Sequence, residues 1–327
     1  MSRQGQPREK TSVNIKDFWE SEAAEWGDSP QVTIRDHFFR NHELQTLLSV
    51  VPRCKRLLDI GCGTGFGTLI LSQCAEYGMG VDYSESMIKW AIRARDDRDY
   101  RQQQARKFKL PYAMEVDVDR RVEFVVADVL SLDLEISNFE VVTGQRILIN
   151  LPTHEDQMIA LEQLRGHCSN GSWLFLTEPT LQGHEQTDRY REQFELPILE
   201  KYWHNNYVDA SRYDEWIGHG WRVLHTLSFE TYMLLSKVIY PAAVGPENCE
   251  FLSGANEAAC ELANIFRTRA SATEIGVSSM LEMYAVRTEQ YNKSEGKAIR
   301  QWIEKHCNSL PNWEKLGHQQ LIIAKTS

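Results

Sequence analysis

The residues of this sequence that could do chemistry begin with a carboxylate followed by glycines at every second position. Asp59 precedes four glycines in the stretch Leu-Asp-Ile-Gly-Cys-Gly-Thr-Gly-Phe-Gly, residues 58–67. Glycine has no side chain and adopts positive φ readily, so it allows a tight turn and a close approach of backbone to a ligand. An apolar run at residues 57–60 predicts a buried parallel strand before the turn. The helix expected at residues 68–75 would point its first amides at the ligand.

A second carboxylate completes the pattern. Asp82 follows Gly61 at a distance of about 20 residues, directly after a short predicted strand at residues 80–81. Nucleotide-binding folds place at this distance the carboxylate that accepts hydrogen bonds from two ribose hydroxyls. The stretch from Arg56 to Asp82 therefore predicts a turn that binds a nucleoside.

The spacing of the glycines argues against a dinucleotide. The fingerprint Gly-x-Gly-x-x-Gly needs a third glycine, and counting from Gly61 or Gly63 puts Phe66 or Thr68 at that position. A carboxylate at Asp59 would also repel a pyrophosphate, whereas it would attract an ammonium group. We therefore expect a ligand with a ribose and an amino group but no phosphates.

The pattern resembles the first motif of the class I S-adenosylmethionine-dependent methyltransferases, acid-x-Gly-x-Gly-x-Gly, which Asp59, Gly61, Gly63 and Gly65 match. S-adenosylmethionine has the ribose and the amino group and carries no phosphates. The resemblance covers residues 55–240 and the last predicted strand, whereas residues 245–315 match no family pattern. It implies S-adenosylmethionine as cofactor, S-adenosylhomocysteine as product and methyl transfer as the activity, and it says little about the acceptor.

The resemblance also implies roles for side chains outside the motif. Tyr83 and Met87 would pack on the adenine, although a methionine at helical spacing equally suits a core. Asp128 would bind the adenine amino group. Arg35 would bind the methionine carboxylate or, alternatively, lie solvated on an amphipathic helix. The predicted cofactor-binding residues are Arg35, Asp59, Gly61, Cys62, Gly63, Thr64, Gly65, Asp82, Tyr83, Met87, Asp128, Val129, Gln145 and Arg146.

Seven predicted strands must position these residues, with helices between them. The resemblance implies a doubly wound, Rossmann-like α/β sheet of seven strands whose last strand is antiparallel. Ligands bind outside the carboxyl ends of the strands in such sheets, so Gln145 and Arg146, after the fourth strand, should face the transferred methyl. The predicted strands are residues 57–60, 80–81, 122–128, 139–144, 173–177, 223–231 and 320–325. Helices are predicted to begin at Ser84 and at Thr153 or His154.

The chain divides into three predicted regions. Residues 1–50 are predicted to form a tail, disordered to about residue 12, followed by a lid of two helices. Residues 51–235 with 318–327 form the cofactor-binding core, with a substrate-side insertion at about 180–218 and a charged excursion at 93–121. Residues 236–317 read as a helical cap that walls the pocket, with the capping-box signature Ser-Ala-Thr-Glu at residues 271–274.

Methyl transfer from a sulfonium is an in-line displacement, so the protein mainly aligns the nucleophile and excludes water. A hydroxyl or a protonated amine needs a base. His204, within Tyr-Trp-His-Asn-Asn-Tyr, is the preferred candidate, and an unperturbed histidine titrates near neutral pH. The other predicted catalytic residues are Glu178 and Tyr232. Asn150, Asn205 and His154 are weaker candidates for orienting the acceptor, and each candidate has a structural alternative.

Composition limits the partners. The formal net charge of −10 across 327 residues argues against nucleic acid, whose phosphates need a basic face. The seven cysteines include no Cys-x-x-Cys pair, which predicts reduced thiols in a cytoplasmic protein. We see no signal peptide, membrane-spanning run or metal site. Monomer and homodimer both stay open.

The sequence therefore predicts methyl transfer to an O or N nucleophile of a small polar metabolite, with a sugar-like acceptor as one option. Two alternatives stay open. One is a nucleic-acid methyltransferase, although residues 150–153 lack the second proline and the aromatic residue of the amino-methylating DNA enzymes and lie about six residues too late. The other is a non-catalytic subunit that binds the cofactor as a partner of another protein.

Overall fold

A seven-stranded sheet forms the centre of the molecule. The computed structural model describes residues 11–27, 32, 34–107, 121–251, 253–268, 277–306 and 319–326. The strands are β1 (Cys54–Ile60), β2 (Ala75–Asp82), β3 (Arg121–Val126), β4 (Phe139–Gln145), β5 (Cys168–Pro179), β6 (Trp221–Ser228) and β7 (Gln319–Thr326). Their spatial order is β3-β2-β1-β4-β5-β7-β6. Strands β1 to β5 run parallel to their neighbours, and β7 is antiparallel to β5 and β6. This order confirms the predicted doubly wound sheet.

The strand order reverses direction between β1 and β4, which pair side by side. In doubly wound sheets this switch point opens a crevice outside the carboxyl ends of the strands. The glycine turn follows β1 and Gln145 ends β4, so both predicted ligand-binding segments lie at the same crevice.

Helices cover both faces of the sheet. They are α1 (Ser12–Trp26), α2 (His37–Val50), α3 (Phe66–Leu71), α4 (Glu85–Asp96), α5 (Arg98–Lys107), α6 (His154–Gly166), α7 (Leu181–Gln193), α8 (Glu230–Leu234), α9 (Tyr240–Val244), α10 (Gly254–Thr268), α11 (Val277–Tyr291) and α12 (Lys293–His306). A π-helical turn, Leu235–Ile239, joins α8 to α9. Short 3-10 helices include Ser72–Cys74, Val129–Ser131, Leu148–Asn150 and Ala210–His219.

Successive residues of a strand point to opposite faces, and β1 shows this directly. Leu57 packs in one hydrophobic cluster and Leu58 in the other. The first cluster also takes in side chains of α2 and of α8 to α12, so the helices that follow β6 share a core with the sheet. The proposed division into lid, core and cap stays a prediction.

Several predicted element boundaries are wrong, among them the start of β2, which begins at Ala75 rather than at residue 80. The helix after the glycine turn ends at Leu71 rather than at residue 75, because the 3-10 turn Ser72–Cys74 leads directly into a long β2. Gly78 permits this path, since a Cβ there would lie 2.1 Å from the Ser72 hydroxyl. Strand β6 ends at Ser228, because residues 230–234 already form α8.

Other predicted boundaries agree with the structure. Ser84 caps α4 by accepting a hydrogen bond from the Met87 N–H. Thr153 and Asp156 form a reciprocal capping box at the start of α6. The predicted N-terminal tail and the capping-box signature at residues 271–274 lie outside the described residues.

Candidate functional site

The glycine turn after β1 has the backbone that its sequence predicts. Gly61, Gly63 and Gly65 have φ angles of 62°, 54° and 79°, in the left-handed region that side chains disfavour. A Cβ on Gly61 would also lie 2.8 Å from the Ile147 side chain. The turn therefore requires glycine for its conformation and for its close packing.

Asp82, at the end of β2, is tied to this turn. Its carboxylate accepts hydrogen bonds from the Gly63 N–H at 2.9 Å and from the Ser84 N–H at 2.9 Å. Burial raises the pKa of Asp82 to about 6. Each carboxylate oxygen has a second lone pair, so the side chain keeps acceptor capacity toward the crevice.

Asp59 is almost fully buried at the end of β1. Its two oxygens accept hydrogen bonds from the hydroxyls of Thr68, 2.6 Å away on α3, and Thr143, 2.7 Å away on β4. Burial raises its pKa to about 6, although the two hydroxyls and the charge of Arg40 favour ionisation. The carboxylate thus joins three elements at the switch point.

The charge of a buried arginine of α2 acts on this carboxylate. Arg40 is 4% exposed, and burial, together with the charge of Arg146, lowers its pKa to about 10. The Arg146 guanidinium is paired at 2.5 Å with Glu43, which is fully buried. Glu43 also accepts hydrogen bonds from Thr177 and Gln319. Arg40 therefore remains cationic at neutral pH and faces the same crevice.

An aromatic wall closes the opposite side. His204 is 7% exposed and stacks on Phe18, with ring centroids 4.4 Å apart. The Tyr202 ring lies parallel to the imidazole at 5.7 Å. The rings of Trp19 and Trp203 meet it edge-on. The aromatic wall comprises Phe18, Trp19 and Glu22 of α1 and Glu200, Tyr202, Trp203, His204 and Asn205 of the loop before the 3-10 helix Ala210–His219.

One cavity of about 450 Å³ joins the turn, the arginines and the aromatic wall. Its other described lining residues are Val32, Ile34, Arg35, Asp36, Arg40, Asp59, Gly61, Cys62, Gly63, Gly67, Asp82, Tyr83, Met87, Gln145, Arg146, Ile147, Ile149, Asn150 and Phe251.

Comparison with known proteins identifies the core. Residues 58–176 match the family model described as a methyltransferase domain. This stretch is a methyltransferase domain. No curated protein sequence matches the methyltransferase.

Solved structures give distant likenesses. They include the N-methyltransferase NodS of Bradyrhizobium japonicum WM9 in complex with S-adenosylhomocysteine, at 15% identity over 66% of this chain and 90% of that chain, with a TM-score of 0.42. The magnesium protoporphyrin IX methyltransferase ChlM of Synechocystis PCC 6803 is 20% identical over 67% of this chain and 93% of that chain, with a TM-score of 0.45. Likenesses this distant say nothing about the acceptor.

The residues of the methyltransferase fit its expected cofactor. The glycine turn presents backbone, Asp82 offers a carboxylate for two hydroxyls, and Asp59 and Arg40 bring an anion and a cation to the same cavity. This last pair matches the ammonium and carboxylate of a methionine group. Arg40 was missed by the sequence analysis. No local pattern in the sequence of α2 distinguishes it from the other polar residues of that helix.

Arg35 lies at the cavity but is exposed, and its guanidinium sits over the Trp26 ring at 5.4 Å. Tyr83 and Met87 line the cavity beneath α1, and Met87 packs against Ala23 and Val32. The structure therefore places α1 over the predicted adenine end of the site.

Several predicted cofactor residues lie outside the cavity lining. Asp128 is exposed, and its carboxylate accepts a hydrogen bond from the Leu130 N–H, which caps a 3-10 turn. Val129 is buried in the core. Thr64 is buried within the turn, and Gly65 is the N-cap of α3.

Two of the three predicted catalytic residues also lie outside the lining. Glu178 is fully buried and accepts hydrogen bonds from three successive backbone N–H groups, those of residues 147–149. Burial raises its pKa to about 8. The Tyr232 hydroxyl is buried and donates to Asp36 at 2.6 Å, beside the Lys237 ammonium. His204 alone of the three reaches the cavity.

Other features of the described chain bear on partners. None of its helices is long and apolar enough to cross a membrane. In the parts of the chain that the structure describes, no group of three or more His, Cys, Asp or Glu side chains could hold a metal ion. The six described cysteines are free thiols.

Proposed function

We propose that the chain transfers the methyl group of S-adenosylmethionine to an O or N nucleophile of a small polar metabolite. One observation carries the proposal, which is the continuity of a single cavity from the glycine turn and Asp82 to His204. A donor bound at the turn and an acceptor held at the aromatic wall would share one water-poor space, as displacement at a sulfonium requires.

The cofactor end would work by positioning. Asp82 would accept hydrogen bonds from the ribose hydroxyls, Arg40 would bind the methionine carboxylate, and Asp59 would attract the ammonium. Bound S-adenosylmethionine supplies an activated methyl group. The protein therefore needs to orient it and exclude water rather than activate it.

At the acceptor end we retain His204 as the proton acceptor. The positions of Glu178 and Tyr232 support other roles. Glu178 holds the backbone of residues 147–149, of which Ile147 and Ile149 line the cavity. Tyr232 holds Asp36 at the start of α2. Both would position the site rather than contact the acceptor.

Size and charge favour a metabolite over a nucleic acid. A volume of about 450 Å³ lies in the range of small-molecule pockets. The net charge of −10 gives no general attraction to phosphates. A sugar-like acceptor is compatible with the polar and aromatic lining.

We also propose that residues 1–50 act as a lid and residues 236–317 as a cap around a core of residues 51–235 and 318–327. Three side chains of α1 line the cavity, which supports the lid. Phe251, from the cap, lines its rim.

Calorimetry with S-adenosylmethionine tests the cofactor assignment. We expect Asp82→Ala to weaken binding about 100-fold, because the ribose loses two charge-assisted hydrogen bonds. Asp133→Ala, at an exposed position outside the cavity lining, is the matched control. Equal affinity in wild type and Asp82→Ala would overturn the assignment.

A screen with methyl-labelled cofactor tests the activity. The enzyme is incubated with a deproteinised metabolite extract, and labelled products are identified by mass spectrometry. Transfer of label to a small metabolite is expected, and Asp82→Ala should lose it. Binding of the cofactor without any transfer would favour the non-catalytic alternative.

A further inference from the structure

We infer that Gln157, which lies outside the cavity lining, is a positioning residue that fixes the aromatic wall relative to the methyl donor; this inference rests on the function proposed above. Gln157 lies in the first turn of α6 and is only 1% exposed. Its side-chain amide nitrogen donates to the Leu148 carbonyl at 3.0 Å and to the Asn206 carbonyl at 2.9 Å. One buried amide thus joins two segments that are far apart in the sequence.

Both of these segments belong to the cavity. Leu148 lies between Ile147 and Ile149, two lining residues of the loop after β4. Asn206 follows His204 by two residues on the loop that carries the aromatic wall. The Asn206 backbone N–H also donates to the Ile149 carbonyl at 2.6 Å. Hydrogen bonds therefore connect the loop after β4, which faces the expected methyl position, with the loop that carries His204.

The bonding pattern requires a donor at position 157. Both partners of the Gln157 amide are backbone carbonyls, which only accept, so the amide must turn its nitrogen, with two N–H groups, toward them. Without that donor, two carbonyls brought together by the fold would face each other unpaired. Glu178 fixes the first segment, because its carboxylate accepts from the N–H groups of residues 147–149. Gln157 then holds the loop of the aromatic wall against this fixed segment.

The loop of the aromatic wall needs such contacts, because residues 194–207 belong to no helix or strand. Its start is held by Arg191 of α7, whose guanidinium donates to the Pro197 carbonyl at 2.7 Å. Gln157 acts near its end, two residues beyond His204. A methyl transfer is sensitive to this placement, since a misplacement of about 1 Å can cost about 10²-fold in rate.

Gln157→Met tests the inference, because methionine keeps the length of the side chain and removes both N–H donors. The assay uses the acceptor identified in the labelled screen, with acceptor and cofactor both saturating. We expect kcat to fall about 10–100-fold, while the affinity for S-adenosylhomocysteine stays within twofold of wild type. This split is expected because the cofactor end keeps its own contacts.

Ser172→Ala is the matched control for a loss of stability. The Ser172 hydroxyl is 1% exposed and lies 2.7 Å from the carbonyls of both Phe139 and Ser169, so this variant also removes a buried donor shared by two carbonyls. Ser172 lies in the first half of β5, whereas the cavity lies outside the carboxyl ends of the strands. Thermal unfolding would measure the stability of both variants. We expect the kcat of Ser172→Ala to stay within twofold of wild type.

Gln157→Glu adds a pH dependence that can be separated from that of the wild type. The ionised glutamate would face two carbonyls without a donor, and burial beside them would raise its pKa. Protonation restores one O–H donor. The kcat of Gln157→Glu, divided by that of wild type, should therefore rise as the pH falls, whereas the same ratio for Gln157→Met should stay flat.

An undiminished kcat in Gln157→Met would overturn the inference and leave the proposed function intact. Equal losses of kcat in Gln157→Met and Ser172→Ala, or a parallel loss of S-adenosylhomocysteine affinity, would also overturn it, because Gln157 would then act on the fold as a whole. If Gln157→Met did not fold, a kcat ratio of Gln157→Glu that is independent of pH would overturn it. The absence of any label transfer by the wild type would contradict the proposed function, and the inference with it.

Discussion

The two ends of the cavity are built in different ways. At the cofactor end, Asp82 and Gly63 are bonded across 19 residues, and Asp59 and Thr68 across nine. At the acceptor end, Trp19 of α1 bonds to Asn150 across 131 residues, and Phe18 stacks on His204 from the other half of the chain. When residues close in sequence form a ligand site, their spacing can be recognised in the sequence. When distant segments form the site, no such spacing exists.

The difference also concerns chemistry. The cofactor end acts through backbone and buried charges that need fixed positions. The acceptor end depends on side chains that meet only when α1 covers the sheet. We therefore expect substitutions at the cofactor end to change cofactor affinity, and those at the acceptor end to change turnover.

The largest expected effect is at His204. His204→Phe keeps an aromatic ring between Phe18 and Tyr202 but removes the proton acceptor. We expect kcat to fall by about 10²–10⁴-fold, with the affinity for S-adenosylhomocysteine within twofold of wild type. Steady-state kinetics with the acceptor from the labelled screen would check this, and an undiminished kcat would remove His204 from the reaction.

A matched pair of arginines tests the other end. Arg40→Gln should weaken S-adenosylhomocysteine binding by about 10–100-fold, because a charge-assisted contact to the carboxylate is lost. Arg35→Gln should have little effect, since Arg35 is exposed. Methylthioadenosine, which lacks the carboxylate, should bind both variants like wild type. Equal losses for the two ligands would show that Arg40 acts on the fold rather than on the carboxylate.

Acid should weaken cofactor binding. Burial raises the pKa of Asp82 to about 6, so the free carboxyl protonates as the pH falls below 6. Ribose hydroxyls bind the ionised form and lower this pKa, hence affinity rises with pH up to about 6 and then levels. Below pH 6 we expect about tenfold loss per pH unit for this one group, and a steeper loss if Asp59 titrates with it.

Calorimetry with S-adenosylhomocysteine between pH 5 and 8 would measure this dependence. Asp82→Asn should bind weakly at every pH and should lose the contribution of this group to the slope. An affinity of the wild type that stays flat from pH 8 to pH 5 would contradict an ionised Asp82 in the complex.

The smallest expected effect is at the contact between α1 and the loop after β4. The Trp19 indole N–H donates to the Asn150 side-chain oxygen at 3.2 Å, and the Asn150 amide donates to the Arg146 carbonyl at 2.6 Å. Arg146 has a positive φ of 57°, which costs strain for a residue with a side chain. Asn150 thus supports the strained residue and bonds to α1.

A double-mutant cycle would measure this coupling. Trp19→Phe and Asn150→Ala should each weaken S-adenosylhomocysteine binding about fivefold. The double variant should lose less than the product of the two, since one contact is removed twice. If the two losses of affinity were independent, the contact between Trp19 and Asn150 would play no part in S-adenosylhomocysteine binding.

The sequence predicted the sheet and the placement of the glycine turn and Asp82 at one crevice, and the reasons are physical. The glycine turn needs specific backbone angles, and an apolar strand must precede it, so both appear as local patterns. Arg40 could not be assigned, because its helix gives no sign of which residue points toward Asp59. Arg35 lies five residues earlier, before α2 begins, and is exposed. Its role in binding the cofactor stays a prediction.

The acceptor end shows what a local sequence pattern cannot predict. His204 was recognised from aromatic neighbours in sequence, but its stacking partner Phe18 belongs to α1. Glu178 and Tyr232 carry reactive groups at suitable places in the chain, yet the fold uses both to satisfy buried backbone and helix ends. Residue type indicates what a side chain can do, and only packing decides whether it faces a ligand.

The hydrogen bond from Gln319 to Glu43 has a consequence for how the protein matures. Gln319 opens β7, which is inserted between β5 and β6 although it is synthesised after both. During translation the early segments can collapse, but the sheet stays split and the Glu43–Arg146 pair lacks one of its partners until β7 emerges. We therefore expect nascent chains to gain cofactor affinity only after β7 has been synthesised and has paired with β5 and β6.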